Sequence, residues 1–405
     1  MLLMTVCLAE ALAMLGVFAF PALLPTFLVE WSLSNTQAGW INGIYFAGYV
    51  AAVPVLGSLT DRIDGRRVLL ISMLGSSAAA FAFGLLAEGF WSALALRAAA
   101  GACLAGTFIP GMRTLVDRLD GAYQERAVSL YTATFSLGGA ASFFVTGHLA
   151  AEHGWHLAFA AGGVGSLLAA LVIATLLEPH APTRAAAQLA VDESHWLDLR
   201  AAVVDRQTRT YIVAYAAHMW ELFGVRSWMV AFLTFSLAQS PDTATGWRPA
   251  TVAALTGVVA MGASILGAEL AMRFGRARVI RLVMTMSALA ASGIGFAATL
   301  PYPVVAILCA FYLLLVQGDS AALHNGVVLS AAPARRGAAM AVQSIAGFTC
   351  AVLAPLAFGV VLDATGEGAT ATSWGLAFMT LGLGVACGPV ALRQVVGTKL
   401  RGTTE

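Results

Sequence analysis

Charged residues are scarce in this chain of 405 residues. Asp, Glu, Lys and Arg make up 11% of it, whereas hydrophobic residues make up 59%. Soluble domains carry about 25% charged residues, so this composition excludes a soluble globular fold. The formal net charge is only +1, and we expect no nucleic acid among the partners. The composition therefore predicts a polytopic membrane protein whose main surroundings are the lipid bilayer.

The chain also lacks the residue patterns that mark metal, redox or catalytic sites. Its five cysteines fall inside apolar segments, without a CxxC pair or a metal-ligand spacing, and are typical of small packing residues. No nucleophile stands beside a base in a recognisable pattern, so we expect no enzyme, no metal and no cofactor. The first ten residues contain no Lys or Arg, and we expect no removable signal peptide.

Twelve apolar runs are long enough to cross a bilayer, at about 20 residues per span. They lie at 3–29, 36–57, 68–87, 91–112, 127–148, 156–177, 209–236, 249–271, 280–299, 304–329, 338–361 and 374–393. We therefore predict an all-α membrane protein with an amino-terminal bundle (1–178), a cytoplasmic linker (179–208) and a carboxy-terminal bundle (209–405), each bundle having six helices.

Basic residues are distributed unequally between the two sides of the predicted membrane. If the amino terminus is cytoplasmic, nineteen Arg and Lys residues lie on the cytoplasmic side and Arg248 alone on the other. Cytoplasmic loops of membrane proteins carry an excess of Lys and Arg. The asymmetry predicts a multi-pass protein of the inner or plasma membrane with both termini in the cytoplasm.

Two sets of motifs indicate an internal repeat. The polar stretch at 57–68, GSLTDRIDGRRV, recurs in weaker form at 267–279, GAELAMRFGRARV, and the Gly65-Arg66 pair recurs 210 residues later. The pentads at 155–159, WHLAF, and 374–378, WGLAF, lie 219 residues apart. Such offsets predict one six-helix unit written twice in parallel orientation.

The pattern Gly-x-x-x-Asp-Arg followed closely by Gly-Arg-Arg, between the second and third spans, resembles the signature of the major facilitator superfamily of transporters. The resemblance covers nearly the whole chain and does not specify a substrate. This chain departs from the signature twice, because Asp64 is inserted before Gly65 and Met272 replaces the Asp of the second copy. The resemblance implies two six-helix bundles, alternating access, a small-molecule substrate and a monomer.

In the family that the chain resembles, this loop forms a cytoplasmic latch between the two halves. The resemblance implies that Asp61 faces the start of span 11. It also implies that Asp117, at the end of span 4, pairs with Arg62 or Arg66, with Arg67 in the same cluster. The alternative is that these arginines only set the membrane topology.

Seven ionisable residues are the clear cases that lie inside the predicted spans and away from their ends, where a charge costs at least a few kcal/mol unless it faces the bundle interior. They are Glu10, Arg97, His218, Glu221, Arg226, Asp319 and His324. All of them fall in spans 1, 4, 7 and 10. In the resembled family those four spans line the central cavity, so these seven residues are the candidates for substrate binding and coupling.

The carboxylates among these residues outnumber the guanidinium groups by three to two. If both arginines are paired with acids, one carboxyl group is left to carry a proton, which predicts the proton gradient as the energy source. Glu221 is the first candidate for that role, because His218 lies three residues earlier on the same helical face and Trp220 is adjacent. Asp319, with His324 nearby, is the second.

Static cross-links between helices are the alternative for these groups. We favour a structural role for Glu10 and His324 and a transport role for Glu221, Arg226 and Asp319, and we leave both roles open for His218.

Span 4 contains a further resemblance. Arg97 opens RAAAGACLAGTFIPG, which is similar to the family's fourth-helix pattern, where the Arg is associated with proton transfer or with substrate charge. Alternatively, Arg97 and Arg226 bind an anionic substrate directly, since guanidinium makes bidentate contacts to carboxylate.

The preferred function is proton-coupled symport of a small organic anion. The Gly-Pro antiporter signature of the family's fifth helix is absent from TFSLGGAASFFVTGH, which favours symport or uniport over antiport. Efflux of apolar or drug-like compounds is the alternative within transport. A transporter-like membrane sensor and a polytopic membrane enzyme are the alternatives from other classes.

Overall fold

The protein is helical throughout the part that the structure describes, a computed structural model covering residues 1–60, 63–119, 121–179, 205–240, 246–332 and 335–401. The first half contains α1 (Leu2–Ala13), α2 (Ala19–Ala22), α3 (Leu24–Glu30), α4 (Asn35–Thr60), α5 (Gly65–Leu86), α6 (Phe90–Val116), α7 (Gly121–His153) and α8 (Trp155–Leu176). The second half contains α9 (Arg206–Gln239), α10 (Pro249–Phe274), α11 (Arg276–Ile294), α12 (Tyr302–Gly318), α13 (Ser320–Ser330), α14 (Arg336–Ala364) and α15 (Ala371–Arg401). The predicted all-α class is confirmed.

Ten stretches of helix in this part are long and apolar enough to cross a membrane, and they coincide with predicted spans 2–4 and 6–12. The first predicted span is divided into α1, α2 and α3, with a short 3-10 turn at Met14–Gly16. The fifth lies within α7, a helix of 33 residues. Most of the predicted linker, residues 180–204, lies outside the described residues.

Packing divides the chain into two units. Unit 1 comprises Met1–Leu33, Trp40–Glu193 and Arg248–Val258, and unit 2 comprises Ser34–Gly39, Ser194–Trp247 and Val259–Glu405. Two helices are shared, because α4 begins in unit 2 and continues in unit 1, while α10 begins in unit 1 and continues in unit 2.

An aromatic cluster of similar composition occurs in each unit, around the two repeated pentads. Trp155 lies at the start of α8, and Trp374 lies near the start of α15. The clusters consist of Phe27, Phe83, Trp155 and Phe159 in unit 1 and of Phe232, Phe358, Trp374 and Phe378 in unit 2. Edge-to-face and stacked rings of this kind add to the packing energy of a buried core.

Local sequence signals place several helix ends correctly. The sequence Ser34-Asn-Thr-Gln37 predicts a capping box at the start of α4. The structure confirms it, because Ser34 Oγ accepts from the Gln37 N–H at 3.1 Å and the Ser34 N–H donates to Gln37 Oε1 at 3.0 Å. Pro249 occupies the first turn of α10, where a missing N–H costs nothing. Glu269 and Arg273 stand one helical turn apart, which predicts an ion pair, and the structure confirms it at 2.7 Å.

Proline explains the break in the first span. Pro21 has no N–H, so it cannot donate to the carbonyl oxygen of Val17, four residues earlier. Around the break, Ser142 Oγ donates to the Leu15 carbonyl oxygen at 2.8 Å and accepts from the Phe18 N–H at 3.0 Å. The side chain of α7 thus replaces two helical hydrogen bonds, and the Val17 carbonyl is left for another donor.

Candidate functional site

Arg97 supplies the donor at the break in the first span. Its side chain lies on α6 in unit 1 and is 3% exposed. Nη1 donates to the Val17 carbonyl oxygen at 3.1 Å, and the guanidinium carbon lies 4.0 Å from the centroid of the Tyr45 ring and 5.9 Å from that of Phe20. Cation–π contact with a desolvated ring stabilises a cation by about 2 kcal/mol.

Within the described residues, no carboxylate forms an ion pair with Arg97, and its Nε lacks a hydrogen-bond partner. The condition behind the charge count, that both arginines are paired with acids, is therefore not met by Arg97 among the described residues, because a carbonyl oxygen and an aromatic ring take the place of the acid. Removing a charge from water costs several kcal/mol that a single carbonyl contact does not offset. Unit 1 consequently contains a buried positive charge that has no negative partner among the described residues.

Glu10 is the buried acid of unit 1 and is 1% exposed. Its Oε2 accepts a hydrogen bond from the Tyr131 hydroxyl at 2.9 Å, while Oε1 has no hydrogen-bond partner among the described residues. The Tyr131 oxygen also lies 3.2 Å from the Phe108 carbonyl oxygen. Glu10 thus links α1 to α7, as the structural alternative for this residue anticipates.

Glu221, on α9 in unit 2, is 1% exposed. Its Oε1 accepts two hydrogen bonds, from Ser287 Oγ at 2.7 Å and from the Tyr312 hydroxyl at 3.0 Å. The donors come from α11 and α12. The expected partner of this carboxylate, His218 on the same helix, contacts a different acid.

That acid is Asp319, which lies between α12 and α13. His218 Nδ1 is 2.8 Å from Asp319 Oδ1, and the two side chains are 1% and 3% exposed. His324, which lies five residues after Asp319 in the chain, has its Nδ1 3.3 Å from Gln343 Nε2 on α14. The two acids of unit 2 therefore have different partners from those that spacing along a single helix predicts.

Two other candidates of α9 lie beside this pair. Trp220 donates from Nε1 to the Thr380 carbonyl oxygen at 3.1 Å, and its ring packs on Gly384 of α15. Its polar atom is therefore occupied by a packing contact within unit 2. Arg226 lies five residues after Glu221 and is partly buried.

The signature loop has a different arrangement from the predicted one. Arg66 donates from Nη2 to the Ala174 carbonyl oxygen at 2.7 Å, and the Asp117 carboxylate is 3.5 Å from Arg113 of its own helix. The predicted pairing of Asp117 with Arg66 is therefore replaced by a contact one turn away on α6. Arg67 is exposed, and Asp61 and Arg62 lie outside the described residues.

The inserted Asp64 caps helix α5. Its Oδ1 accepts from the Arg66 N–H at 3.0 Å and lies 3.9 Å from Arg118 Nη2. A side-chain oxygen at this position satisfies one of the amide groups that a helix start leaves without a partner. The extra residue in the signature thus extends the loop while fixing where the third span begins.

We expect Asp64→Ala to lower the free energy of unfolding by about 1 kcal/mol, because the cap is lost. Denaturant unfolding of the detergent-purified protein, followed by circular dichroism, measures this change. Asp64→Asn should recover most of it, since Asn also caps helices well. Equal stability of the Ala variant and the original protein would contradict the capping role.

The site residues that sequence reasoning missed are hydroxyl groups. Ser142, Tyr131 and Ser287 each contact a buried charge or a broken helix. Nothing distinguishes them in the sequence from other Ser and Tyr residues of apolar helices. Pro21 was a usable signal, because it identifies the Val17 carbonyl as lacking its helical donor.

The protein has helices that are long and apolar enough to cross a membrane, a broken first span, and buried ionisable residues in both units. These features define a class of polytopic membrane proteins with polar sites inside helical bundles. The sequence profile of the Major Facilitator Superfamily matches residues 6–348. The chain belongs to this family.

Curated relatives match parts of the chain. A niacin transporter of Acinetobacter baylyi is 31% identical over 189 residues, which cover 45% of this chain and 40% of the relative. A cis,cis-muconate transport protein of the same organism is 24% identical over 232 residues, or 56% of each chain. A multidrug efflux pump of Mycolicibacterium smegmatis is 30% identical over 158 residues, or 38% of this chain and 31% of the pump. The chain thus aligns with about half or less of the length of these relatives.

Solved structures share the fold over nearly the whole chain. A bacterial homologue of the human lysosomal transporter Spinster, in an inward-facing and occupied conformation, superposes with a TM-score of 0.77 at 15% identity. The match covers 98% of this chain and 97% of the homologue. The predicted fold, twelve transmembrane helices in two six-helix bundles, is confirmed by this likeness.

Proposed function

We propose that this protein is a secondary transporter that moves a small organic anion across the membrane by alternating access, in symport with protons. The main support for an anionic substrate is Arg97, whose guanidinium group is buried in unit 1 without a carboxylate partner among the described residues. An anionic substrate supplies the missing negative charge. Binding of that substrate then offsets a desolvation cost that the empty site bears.

The surroundings of Arg97 suit a planar carboxylate. Transporter sites commonly form where a membrane helix is discontinuous, because the break exposes backbone groups to the cavity. Arg97 contacts the break in the first span through the Val17 carbonyl oxygen, and the Tyr45 ring lies 4.0 Å from the guanidinium carbon. The unpartnered Nε leaves a donor for a carboxylate oxygen, and guanidinium binds carboxylate with parallel hydrogen bonds.

The relatives support the same substrate class. Niacin and cis,cis-muconate are both organic acids, and the relatives named for them align with 40% and 56% of their own lengths. Partial alignments of this kind make an organic acid the first class to test.

The acids of unit 2 are the proposed coupling site. Glu221 and Asp319 are both buried. Glu221 accepts a hydrogen bond from Ser287, and Asp319 contacts His218, which can exchange a proton with it. Protonation of a buried carboxylate removes the cost of its charge, so a proton can accompany the anion through the cycle. We assign the proton first to Glu221 and second to the Asp319–His218 pair.

Efflux of apolar or drug-like compounds is the second candidate function. It is supported by the similarity to the multidrug efflux pump, which covers 38% of this chain. A cationic substrate would meet an uncompensated like charge at Arg97, which disfavours this function.

Uptake into proteoliposomes under an imposed inward proton gradient separates the two functions. The carboxylate panel consists of niacin and cis,cis-muconate, with their neutral amides as matched controls, and ethidium represents apolar cations. We expect concentrative uptake of a carboxylate and none of its amide. Proton-driven movement of ethidium together with inert carboxylates would instead establish efflux.

A further inference from the structure

Helix α12 carries three residues with exchangeable protons along its buried face. Tyr302, Cys309 and Tyr312 follow one another at intervals of seven and three residues, which is the spacing of one face of an α-helix. All three are buried, and their neighbours on that face include the apolar residues Val305 and Val316. The three side chains therefore form a row of O–H and S–H groups inside unit 2.

One end of the row is hydrogen-bonded to Glu221. The Tyr312 hydroxyl donates to Glu221 Oε1 at 3.0 Å, so its proton lies toward the carboxylate that we assign to coupling. Cys309 interacts electrostatically with the Tyr312 hydroxyl and also with the Tyr302 hydroxyl. The thiol group thus links the two tyrosines, and the row ends on a proton acceptor.

The other end of the row lies at the start of α12. Tyr302 is the first residue of this helix, and its N–H donates to Ser240 Oγ, at the end of α9, at 3.1 Å. The preceding residue, Pro301, is exposed. At a rise of 1.5 Å per residue, Tyr302 lies about 15 Å along α12 from Tyr312, half of the roughly 30 Å hydrocarbon thickness of a bilayer. The row is therefore long enough to reach from a membrane surface to the Tyr312–Glu221 hydrogen bond.

The Tyr302 hydroxyl is buried and has no hydrogen-bond partner among the described residues. A phenol oxygen left in this way costs free energy that a phenylalanine of the same shape would not. Buried polar groups without a protein partner typically bind ordered water. Packing alone therefore does not explain a tyrosine at this position, whereas a group that exchanges protons with water does.

Other groups also face Glu221. Asp319 interacts with it electrostatically, and Ser287 of α11 donates to the same carboxylate oxygen. His218 contacts Asp319. The other buried residues of α11 are apolar, so Ser287 does not continue into a row of exchangeable protons along its helix. Tyr312 does, because Cys309 and the start of α12 follow it on the same face.

We propose that Tyr302, Cys309 and Tyr312 form a proton path that connects Glu221 to the membrane surface at the start of α12. The proposal rests on the proposed function, in which Glu221 carries the coupled proton. Tyr312 gives its hydroxyl proton to the carboxylate and takes one from the side of Cys309. Cys309 in turn takes one, through water, from the side of Tyr302. Each group ends as it began, so the net change is one proton moved from solvent to the Glu221 carboxylate, and release reverses these steps.

Infrared difference spectroscopy of the full chain in nanodiscs, after a rapid fall in pH, measures protonation of Glu221 without a substrate. The carboxyl C=O band of Glu221 is assigned by its loss in Glu221→Gln. We expect Tyr302→Phe to slow the appearance of this band about 10²-fold, the low end of what a positioned proton donor contributes. The pH midpoint of the band should stay unchanged, because Tyr302 lies almost three helical turns from Tyr312. Tyr211→Phe, which changes another buried tyrosine of unit 2, is the control and should leave the rate unchanged.

Cys309 gives a sharper test, because a proton path and a packing contact predict opposite results. Cys309→Ser keeps an exchangeable proton at the same place, whereas Cys309→Ala removes it and leaves an apolar side chain. We expect the Ser variant to keep nearly the original rate and the Ala variant to slow protonation of Glu221 about 10²-fold. Cys350→Ala, at a partly buried cysteine of α14, is the control for removal of a thiol.

An original rate in Cys309→Ala, or a slower rate in Cys309→Ser than in Cys309→Ala, would overturn the path. A shift of the pH midpoint that accounts for the whole change in rate would overturn it too, since the residues would then act only as electrostatic neighbours of Glu221.

Transport gives a second readout, because loss of one relay group leaves the carboxyl group of Glu221 in place. Tyr302→Phe and Cys309→Ala should therefore slow proton-driven uptake of a carboxylate without lowering its final accumulation ratio. A lower final ratio at an unchanged initial rate would contradict the path. If the original protein accumulates no carboxylate, the proposed function fails, while the infrared experiment still decides whether the row delivers protons to Glu221.

Discussion

Arg97→Ala should lower the uptake of a transported carboxylate by about 30-fold or more. Truncating one partner of a buried, hydrogen-bonded charge pair costs about 2–5 kcal/mol, and Arg97 is the buried cation that we assign to the substrate. Uptake into proteoliposomes at subsaturating carboxylate measures the effect. The uptake rate of Arg97→Lys should lie between those of the original protein and Arg97→Ala, because Lys keeps the charge but lacks the planar fork of donors.

Two variants separate substrate binding from support of the broken helix. Ser142→Ala removes the other side chain that bridges the break, without any change of charge. Arg113→Ala removes a partly exposed charge from the same helix as Arg97. We expect both variants to keep carboxylate uptake within about threefold, the scale of a single neutral hydrogen bond. If Ser142→Ala reproduced the loss seen in Arg97→Ala, Arg97 would be a structural residue of the break.

Glu221→Gln should abolish uphill accumulation of the carboxylate while leaving exchange across the membrane intact. Gln is nearly isosteric with Glu, and its single carbonyl oxygen can accept from both Ser287 and Tyr312, because both donate to one oxygen of Glu221. The amide cannot take up and release a proton near neutral pH. The accumulation ratio should therefore fall to about one, while counterflow stays within about threefold.

The control variants for Glu221 remove the hydroxyl groups that donate hydrogen bonds to it but keep its carboxyl group. Ser287→Ala and Tyr312→Phe each delete one hydrogen bond to the carboxylate, so they should change the pH at which transport is fastest without abolishing accumulation. Asp319→Asn is the parallel test of the other acid. Loss of accumulation in Asp319→Asn with normal accumulation in Glu221→Gln would transfer the coupling role to the Asp319–His218 pair.

The arrangement of helices was largely predictable from the sequence. Apolar runs of about 20 residues have few alternatives to a membrane helix, so ten predicted spans coincide with long helices. Local chemistry was also predictable, since the Ser34–Gln37 capping box and the Glu269–Arg273 pair involve residues three or four apart. Each of these signals depends on neighbours along one helix.

Partners on different helices were not predictable in the same way. Spacing along α9 places His218 beside Glu221. In the folded protein His218 instead contacts Asp319, and Glu221 accepts hydrogen bonds from hydroxyl groups of α11 and α12. The Asp363 carboxylate likewise accepts a hydrogen bond from the Asn35 N–H, 328 positions away in the chain. Charge counting likewise failed for Arg97, because a carbonyl oxygen and an aromatic ring can solvate a cation without appearing in a charge balance.

The most direct test of the central claim is thermal stabilisation of the purified protein by the carboxylate panel. A ligand that binds the folded state raises the melting temperature by mass action. We expect a carboxylate to raise it, its neutral amide to leave it unchanged, and Arg97→Ala to lose the response while Arg113→Ala retains it. Equal stabilisation by acid and amide, or an undiminished response to the acid in Arg97→Ala, would contradict an anion site at Arg97.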